Sequence, residues 1–589
     1  MSHAISQESF FSSPLTHLHP DVRRFAPGVD WEGPFAPESL VTAFERSART
    51  YAQRPCLSFM GRPWTYQEVA ALVDSTACGL QRMGVKKGVH VGLLLPNCPY
   101  YTIFYFAILK AGGVVVNFSP LYVEREIAYQ AKDSHIRFMV TLDLQLLYPK
   151  VQAVADMPDN QLERVIVCPM RAVLPSLKGF LFALFKRGDV AAVKNGPQTV
   201  WFSHLIDNDG AYTPIDVNPV EDLAVLQYTG GTTGVPKGAM LTHANLTVNC
   251  QQATRWFPGV QLGGERLLCV IPFFHVLAMT ALQNLGLSIG GELILLPRFE
   301  LKMFLKAIEK QKPTIMIAVP TLLNAVLNAP NLAKYDLSSL RACISGGAPL
   351  PVEVKQRFEK ITGCVVVEGY GLSESSPIAM CNPITGTNKS GSIGIPVPGT
   401  RIDIVALDGS GTTVPQGEKG EVCITGPQIM KGYYHHPDET ARVLPDGQRL
   451  RTGDVGIMDE DGYVYLVDRI KDVILAGGYN VYPRMIEEAL YLHPAVAEAV
   501  CIAVPDPYRG QAPKCFVRLR EKAEIVTPDE LKNFLTDKVS RIEIPKEIEI
   551  RDELPKTSVG KLSKKELVAE EAAKNPTATS SPPAKKGDS

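Results

Sequence analysis

An excess of charge of either sign is missing from this sequence. Its 589 residues carry 60 Lys and Arg against 61 Asp and Glu, a formal net charge of −1, so no global positive field marks nucleic acid as the main partner. No two cysteines stand at C-x-x-C spacing; all twelve (Cys56, Cys78, Cys98, Cys168, Cys250, Cys269, Cys343, Cys364, Cys381, Cys423, Cys501 and Cys515) are scattered. That excludes a zinc or thioredoxin-like motif and predicts reduced, packing cysteines in a reducing compartment. The N-terminus, MSHAISQESFFSSPLTH, lacks a basic start followed by an apolar stretch and a cleavage site, so a cytoplasmic location is expected. Residues 267–291 hold no formal charge, yet Pro272, His275, Gln283, Asn284 and the Gly290-Gly291 pair interrupt them. A buried helix running into the core strand LILLP is therefore expected there, not a membrane span.

What is present is ordinary globular material on a large scale. Hydrophobic residues make up 45% and charged residues 21%, and a chain this long divides into two or more domains. The first 130 residues alternate helical patterns with buried strands. A helix is predicted from Ser39, another from Thr65, a strand ending near Asn97, a helix over YYTIFYFAILKAGG and a strand over VVVNFSP. The same grammar recurs at 223–296 and 313–367, which predicts largely parallel sheets covered by helices. Near Arg401 it changes to short strands with turns (RIDIVALDGSG, GEVCITG, GYVYLVDR), and from about 469 to an α+β module. The closing stretch EEAAKNPTATSSPPAKKGDS is small, polar and proline-containing, the composition of a disordered tail.

Chemistry is concentrated in LQYTGGTTGVPKGAMLTHANL, from Leu226. Gly230, Gly231 and Gly234 alternate with Thr229, Thr232 and Thr233 directly after a predicted strand, and Lys237 closes the run. Glycine lets backbone N–H groups converge on an anion, hydroxyls add donors and lysine adds charge, a pattern suited to phosphate. It is not a Walker loop, because Pro236 precedes the lysine and Gly238 follows it. Nor does any G-x-G-x-x-G occur.

This loop resembles the signature of the adenylate-forming superfamily: acyl-CoA synthetases, luciferases and peptide-synthetase adenylation domains. Four further motifs extend the resemblance over residues 30–566: VEGYGLSESSP from Val367, GEVCITGPQIMKGYYHHPDET from Gly420, RTGDVGIMDEDGYVYLVDRIKDVILAGGYNVYPRMIEE from Arg451 and PKTSVGKLSKKEL from Pro555. The resemblance implies an α/β fold: a large N-terminal AMP-binding domain over 1–467, with a β-rich subdomain at about 400–467, then a mobile α+β domain over 468–568 and a tail over 569–589. It implies attack of a carboxylate on the ATP α-phosphate to give acyl-AMP, then transfer to a thiol. Thr229, Gly230, Gly231, Thr232, Thr233, Gly234 and Lys237 are implied at the phosphates. Thr229 and Glu374 would face a magnesium ion (Mg2+). Gly346, Gly347 and Ala348, with Glu368, Gly369, Tyr370, Gly371 and Ser373, would form the adenine wall and its tyrosine motif, Tyr370 stacking on the base. Asp454 would take the ribose hydroxyls and Arg469 would donate to the same nucleotide. Lys561 would bridge the α-phosphate and the attacking carboxylate, His275 in PFFH would stand beside the acid, Asp468 would be the hinge, and Gly477, Gly478 and Tyr479 would lie on the CoA side.

The details of the phosphate loop, and the absence of a carrier-domain serine motif after the C-terminal module, favour a free-standing fatty acyl-CoA ligase acting on medium or long chains. ATP and CoA are the implied co-substrates. A CoA ligase for an aromatic or dicarboxylic acid, a luciferase-type oxygenase and a CoA-independent acyl-AMP ligase are the alternatives. Finally, LPSLKGFLFALFKRG, from Leu174, sets Phe180, Leu181, Leu184 and Phe185 between Lys178 and Lys186-Arg187, as an interfacial helix does. Peripheral contact with the inner face of a membrane is thus one expectation and an ordinary packed surface helix the other; a homodimer is also admitted.

Overall fold

Twelve consecutive residues, Pro99–Lys110, form a helix in which every side chain is buried. Its sequence explains this: PYYTIFYFAILK is apolar or aromatic around its whole circumference, so no face suits water. Proline opens it at the first turn, and Gly112, in the left-handed region at φ +83°, closes it. At its end Lys110 is neutralised by Glu45 and Asp74 at 2.6 and 2.5 Å.

This computed structural model describes residues 22–229, 235–477, 479–520, 526–557 and 560–574. They form two compact units. The first comprises 22–403, 423–452 and 460–464, and the second 404–422, 453–459 and 465–574. A four-stranded sheet has the spatial order Arg401–Val405, Lys419–Thr425, Arg449–Met458 and Val464–Arg469.

Two large sheets build the first unit. In the seven-stranded sheet the order is Thr199–Trp201, Arg164–Cys168, Phe138–Leu142, His90–Leu94, Val114–Asn117, Leu223–Thr229, Lys237–Thr242. All neighbours are parallel except the last pair. The nine-stranded sheet has a parallel centre, in which Glu292–Leu295, Arg266–Cys269, Ile315–Ala318, Ala342–Gly346 and Val365–Gly371 lie side by side. The early helices fall where the pattern predicts: Leu40–Thr50, capped by Ser39, and Tyr66–Arg82, opened by a Thr65/Glu68 capping box.

Over 267–291 the expectation needs refinement. Its first residues complete the strand Arg266–Cys269, and the helical part is three short pieces, Val276–Ala278, a π-helical turn Met279–Asn284 and Leu285–Ser288. Among the described residues no helix is long and apolar enough to cross a membrane.

In the second unit, a five-stranded sheet is built on the hairpin Val496–Asp506 and Gly510–Leu519. Helices Pro483–Tyr491 and Pro528–Leu535 cover it, and Ile486, Leu490, Leu531 and Leu535 meet Val496, Val517 and Ile548 in a common core. The second helix has the predicted start, proline at its first position, Asp529 and Glu530 in the first turn and a Thr527/Glu530 capping box. Cys501 and Cys515 stand directly opposite each other on the hairpin; the other ten cysteines are buried, as packing cysteines should be. One expectation is corrected here: the helix Lys564–Lys574 runs past 568 into the expected tail. Leu567 is fully buried and Glu571 reaches Lys514 at 3.0 Å, which anchors a stretch that composition alone marks as polar. Residues 575–589 lie outside the described residues.

Candidate active site

The ends of the glycine-threonine segment are set by strand pairing. Thr229, last residue of its strand, is the cross-strand partner of Lys237, first residue of the next, so the glycine-threonine segment is the connection that an antiparallel pair closes. Gly230, Gly231, Thr232, Thr233 and Gly234 themselves lie outside the described residues. Lys237 is buried, with its ammonium 2.6 Å from Glu439 and 5.6 Å from the Tyr433 ring centroid. That ammonium holds the Glu439 carboxyl below its ordinary range.

Tyr433 and Glu439 belong to the GYYHHPDET motif, but nothing in their sequence assigned them a task. The backbone supplies it. Gly432 accepts from Met240 N–H at 2.9 Å, Tyr434 N–H donates to Gly238 at 2.8 Å, and Tyr433 bridges Ala239, so the motif lies along the strand that Lys237 opens. Asn245 supports it from below, donating to the Pro427 and Ile429 carbonyls at 2.8 and 2.9 Å. The Tyr433 hydroxyl in turn donates to Glu374 Oε1 at 2.6 Å. Burial and the Glu374 charge push the phenol well up, keeping it a donor. Three motifs distant in sequence thereby meet around one lysine, one tyrosine and two carboxylates.

Adenine-wall candidates sit at the carboxyl ends of adjacent parallel strands, where open α/β sheets bind ligands. Ser345 pairs with Glu368 and Gly346 with Gly369; Gly347, at φ +81°, turns the chain away and Ala348 follows. Tyr370 and Gly371 end the neighbouring strand, and Ser373 and Glu374 form the short turn after it. At Gly371 a methyl group would overlap the Pro377 carbonyl oxygen, so glycine is required there by packing.

His275 is positioned by a buried polar network that composition and motif did not reveal. Asn97 donates to the carbonyls of Cys269 and Ile271 (3.0 and 2.9 Å) and accepts from Phe273 N–H at 2.7 Å. Tyr101 donates to the Phe273 carbonyl at 2.8 Å, and Gln227, two residues before Thr229, donates to that of Phe274 at 3.0 Å. Asn117 joins Tyr101 to Gln227. The PFFH turn is thus fixed to the strand that ends at Thr229. His275 Nδ1 accepts from Leu277 N–H at 3.3 Å, which places the proton of the neutral ring on Nε2.

A second group lies within the second unit. Arg469 Nε is 3.0 Å from Asp454 Oδ1, and Asp454 is buried. Lys561 is near both: burial, with the Arg469 charge adding to it and Asp454 opposing, lowers its ammonium to about 8. The turn presenting it is held by Thr557 N–H to the Lys561 carbonyl at 2.7 Å and Lys561 N–H to Thr557 Oγ1 at 3.1 Å. Its basic neighbours are engaged elsewhere, Lys556 with Glu498 and Lys564 with Glu487 and Asp472. Asp468 is buried and accepts from Arg469 and Arg484 N–H at 2.7 and 2.8 Å; burial raises its carboxyl. Gly477, at φ +57°, lies in the tight turn between Ile474–Ala476 and Tyr479–Val481, with Tyr479 exposed. Gly478 lies outside the described residues.

The first unit thus carries the adenine-wall candidates at adjacent strand ends and pairs Thr229 with Lys237, and the second holds buried Asp454 beside the exposed Arg469. Residues 44–434 match the AMP-binding enzyme family and 485–561 the AMP-binding enzyme C-terminal domain; the chain belongs to this family, and its α/β fold is the one expected. Among curated proteins it is 42% identical to a long-chain-fatty-acid–CoA ligase of Bacillus subtilis (strain 168) over 546 residues, 92% of this chain and 96% of the relative. It is 37% identical to a long-chain-fatty-acid–CoA ligase of Escherichia coli O6:H1, over 90% of this chain and 94% of that one. Among solved structures it resembles the anthranilate CoA ligase AuaEII in complex with anthranoyl-AMP, with a TM-score of 0.77 and 26% identity over 91% of this chain and 97% of that one.

Proposed function

We propose that this chain is an ATP-dependent fatty acid–CoA ligase. A fatty carboxylate attacks the ATP α-phosphate to release pyrophosphate and form acyl-AMP, and the CoA thiol then displaces AMP to give acyl-CoA. The observation that carries the reading is the extent of the likeness to long-chain-fatty-acid–CoA ligases, 37–42% identity over about nine-tenths of the chain, together with the assembled Lys237, Tyr433 and Glu374 group. The anthranilate enzyme keeps an aromatic acid as the second reading, at lower identity.

Each group has a task the chemistry requires. Bringing a carboxylate to a polyphosphate means approximating two anions, so catalysis consists mostly of positioning and charge neutralisation. Lys237 and the glycine-threonine segment supply charge and N–H donors to the β and γ phosphates. Glu374, a hard oxygen donor with one oxygen held by Tyr433, and the Thr229 hydroxyl fit a magnesium ion. When bound, that ion would offset phosphate charge. Asp454 and Arg469 take the ribose. Lys561, a long and flexible point charge, stabilises the carboxylate and the α-phosphate as the bond forms. His275, with its proton on Nε2, is oriented toward hydrogen bonding to the acid. Asp468 serves as the hinge that withdraws Lys561 and brings Gly477, Gly478 and Tyr479 to the thioester step.

The same reading covers 1–467 as nucleotide- and acid-holding domain and 468–568 as mobile domain. It also covers a cytoplasmic enzyme with peripheral membrane contact and a homodimer, which sedimentation tests. The chemistry itself is tested by fatty-acid-dependent exchange of labelled pyrophosphate into ATP without CoA. Exchange that needs the acid but not the thiol is expected, and exchange without acid would remove the reading.

A further inference from the structure

The helix Ser176–Phe185 is amphipathic the wrong way round for a packed surface helix. Leu177, Phe180, Leu181, Leu184 and Phe185 recur at intervals of three and four and so share one face. That face is turned to solvent: these side chains are 70, 58, 41, 49 and 73% exposed. The opposite side carries the only buried residue, Gly179. A Cβ there would come within 3.0 Å of the Arg171 carbonyl oxygen, so the helix sits on its own preceding turn through its smallest residue. A neighbouring loop adds Leu146, 76% exposed, and is tied to the helix end by Gln145 N–H to the Asp189 carbonyl at 2.8 Å. Exposed apolar residues scattered singly need no explanation, whereas a contiguous stripe marks an interaction surface.

Charge selects the partner. Between Met170 and Gly188 there are four cations, Arg171, Lys178, Lys186 and Arg187, and no Asp or Glu. All four are exposed, and Lys186 and Arg187 follow the last apolar turn. Lys186 faces Asp189 at 3.4 Å, a loose surface pair, and Lys178 donates to the Met60 carbonyl. A two-fold contact with a second copy would set this cationic patch against itself. An anionic bilayer surface satisfies both features at once, taking the apolar face into the acyl boundary and the cations onto its headgroups.

We propose that the 176–185 helix docks the enzyme on anionic lipid bilayers, with Phe180 and Phe185 as apolar anchors and Lys186 and Arg187 as headgroup contacts. This deepens the peripheral contact in the functional reading by giving it a site, and it suits an enzyme whose proposed substrate partitions into membranes. Binding is read by flotation of the full chain, without ATP, CoA or acid, so that it stands apart from the ligase chemistry. The vesicles are phosphatidylcholine alone or mixed with phosphatidylglycerol, at about 0.15 M salt. Binding to the mixed vesicles is expected, with at least roughly tenfold weaker binding for F180S/F185S and for K186Q/R187Q. Far-UV circular dichroism should be unchanged, since these side chains are exposed. Absence of binding by the parent chain, or equal binding by F180S/F185S, would overturn the proposal. A parent chain that ignores vesicles but sediments as a dimer, and that F180S/F185S converts to a monomer, would assign the stripe to a second copy instead.

Discussion

Tyr433 donates a 2.6 Å hydrogen bond to Glu374 Oε1, and through it the fate of a carboxylate in one motif depends on a phenol 59 residues further along the chain. In the proposed magnesium site such a partner would fix which oxygen of Glu374 is left for the ion and where it points. Tyr433→Phe should therefore lower kcat/KM for magnesium-ATP by roughly ten- to a hundredfold, while Tm changes little. A Tm drop with unchanged magnesium dependence would mean that the tyrosine only packs.

The Lys561 ammonium should impose opposite pH trends on activity and stability. With burial lowering it to about 8 from the ordinary 10.5, kcat/KM for pyrophosphate exchange should fall as pH rises through about 8, because the free enzyme loses the charge that adenylation uses. Between those two values the unfolded chain holds more of this proton than the folded one, so this residue's contribution to stability rises with pH over the same window. Lys561→Ala should nearly abolish exchange and spare thioester formation from preformed acyl-AMP. Equal loss in both half-reactions would contradict the assignment.

Gly371→Ala tests the packing at the tyrosine motif. A methyl group there meets the Pro377 carbonyl oxygen, and the two backbones must separate. A loss of about 3 kcal/mol or more is expected, read as a lowered denaturation midpoint, with a higher KM for ATP in the folded fraction.

Asn97→Ala tests whether the PFFH turn is held from a distance. It removes three buried hydrogen bonds, to Cys269, Ile271 and Phe273, and leaves backbone groups unpaired at a cost of about 3 kcal/mol. If the network positions His275, KM for the acid rises while KM for ATP is little changed. Parallel rises in both would make Asn97 a general core residue.

Legibility in the sequence followed the range of the interaction. Local signals were readable: the caps at Ser39 and Thr65, the all-apolar 99–110 helix and the proline-acidic start at 528 all lie where pattern places them. The glycine-threonine segment stood out because anion chemistry favours such residue types in a short run, whereas the tyrosine motif and Lys561 were singled out by family resemblance. Contacts between segments well separated in the chain were not readable. Lys237 with Glu439, Tyr433 with Glu374 and Asn97 with the PFFH turn are created by sheet order, which no local period encodes. The facing of Cys501 and Cys515 is of the same kind, since they become neighbours only through hairpin register. For the 176–185 helix, periodicity identified the apolar stripe but not its direction; the structure turns it outward.

The identity of acid and acceptor is decided by CoA-dependent AMP release across acids from acetate to palmitate, with benzoate and pimelate. Steady AMP release should require CoA, with kcat/KM highest for a medium- or long-chain fatty acid. Release independent of CoA, or a preference for benzoate or pimelate, would contradict the proposed function.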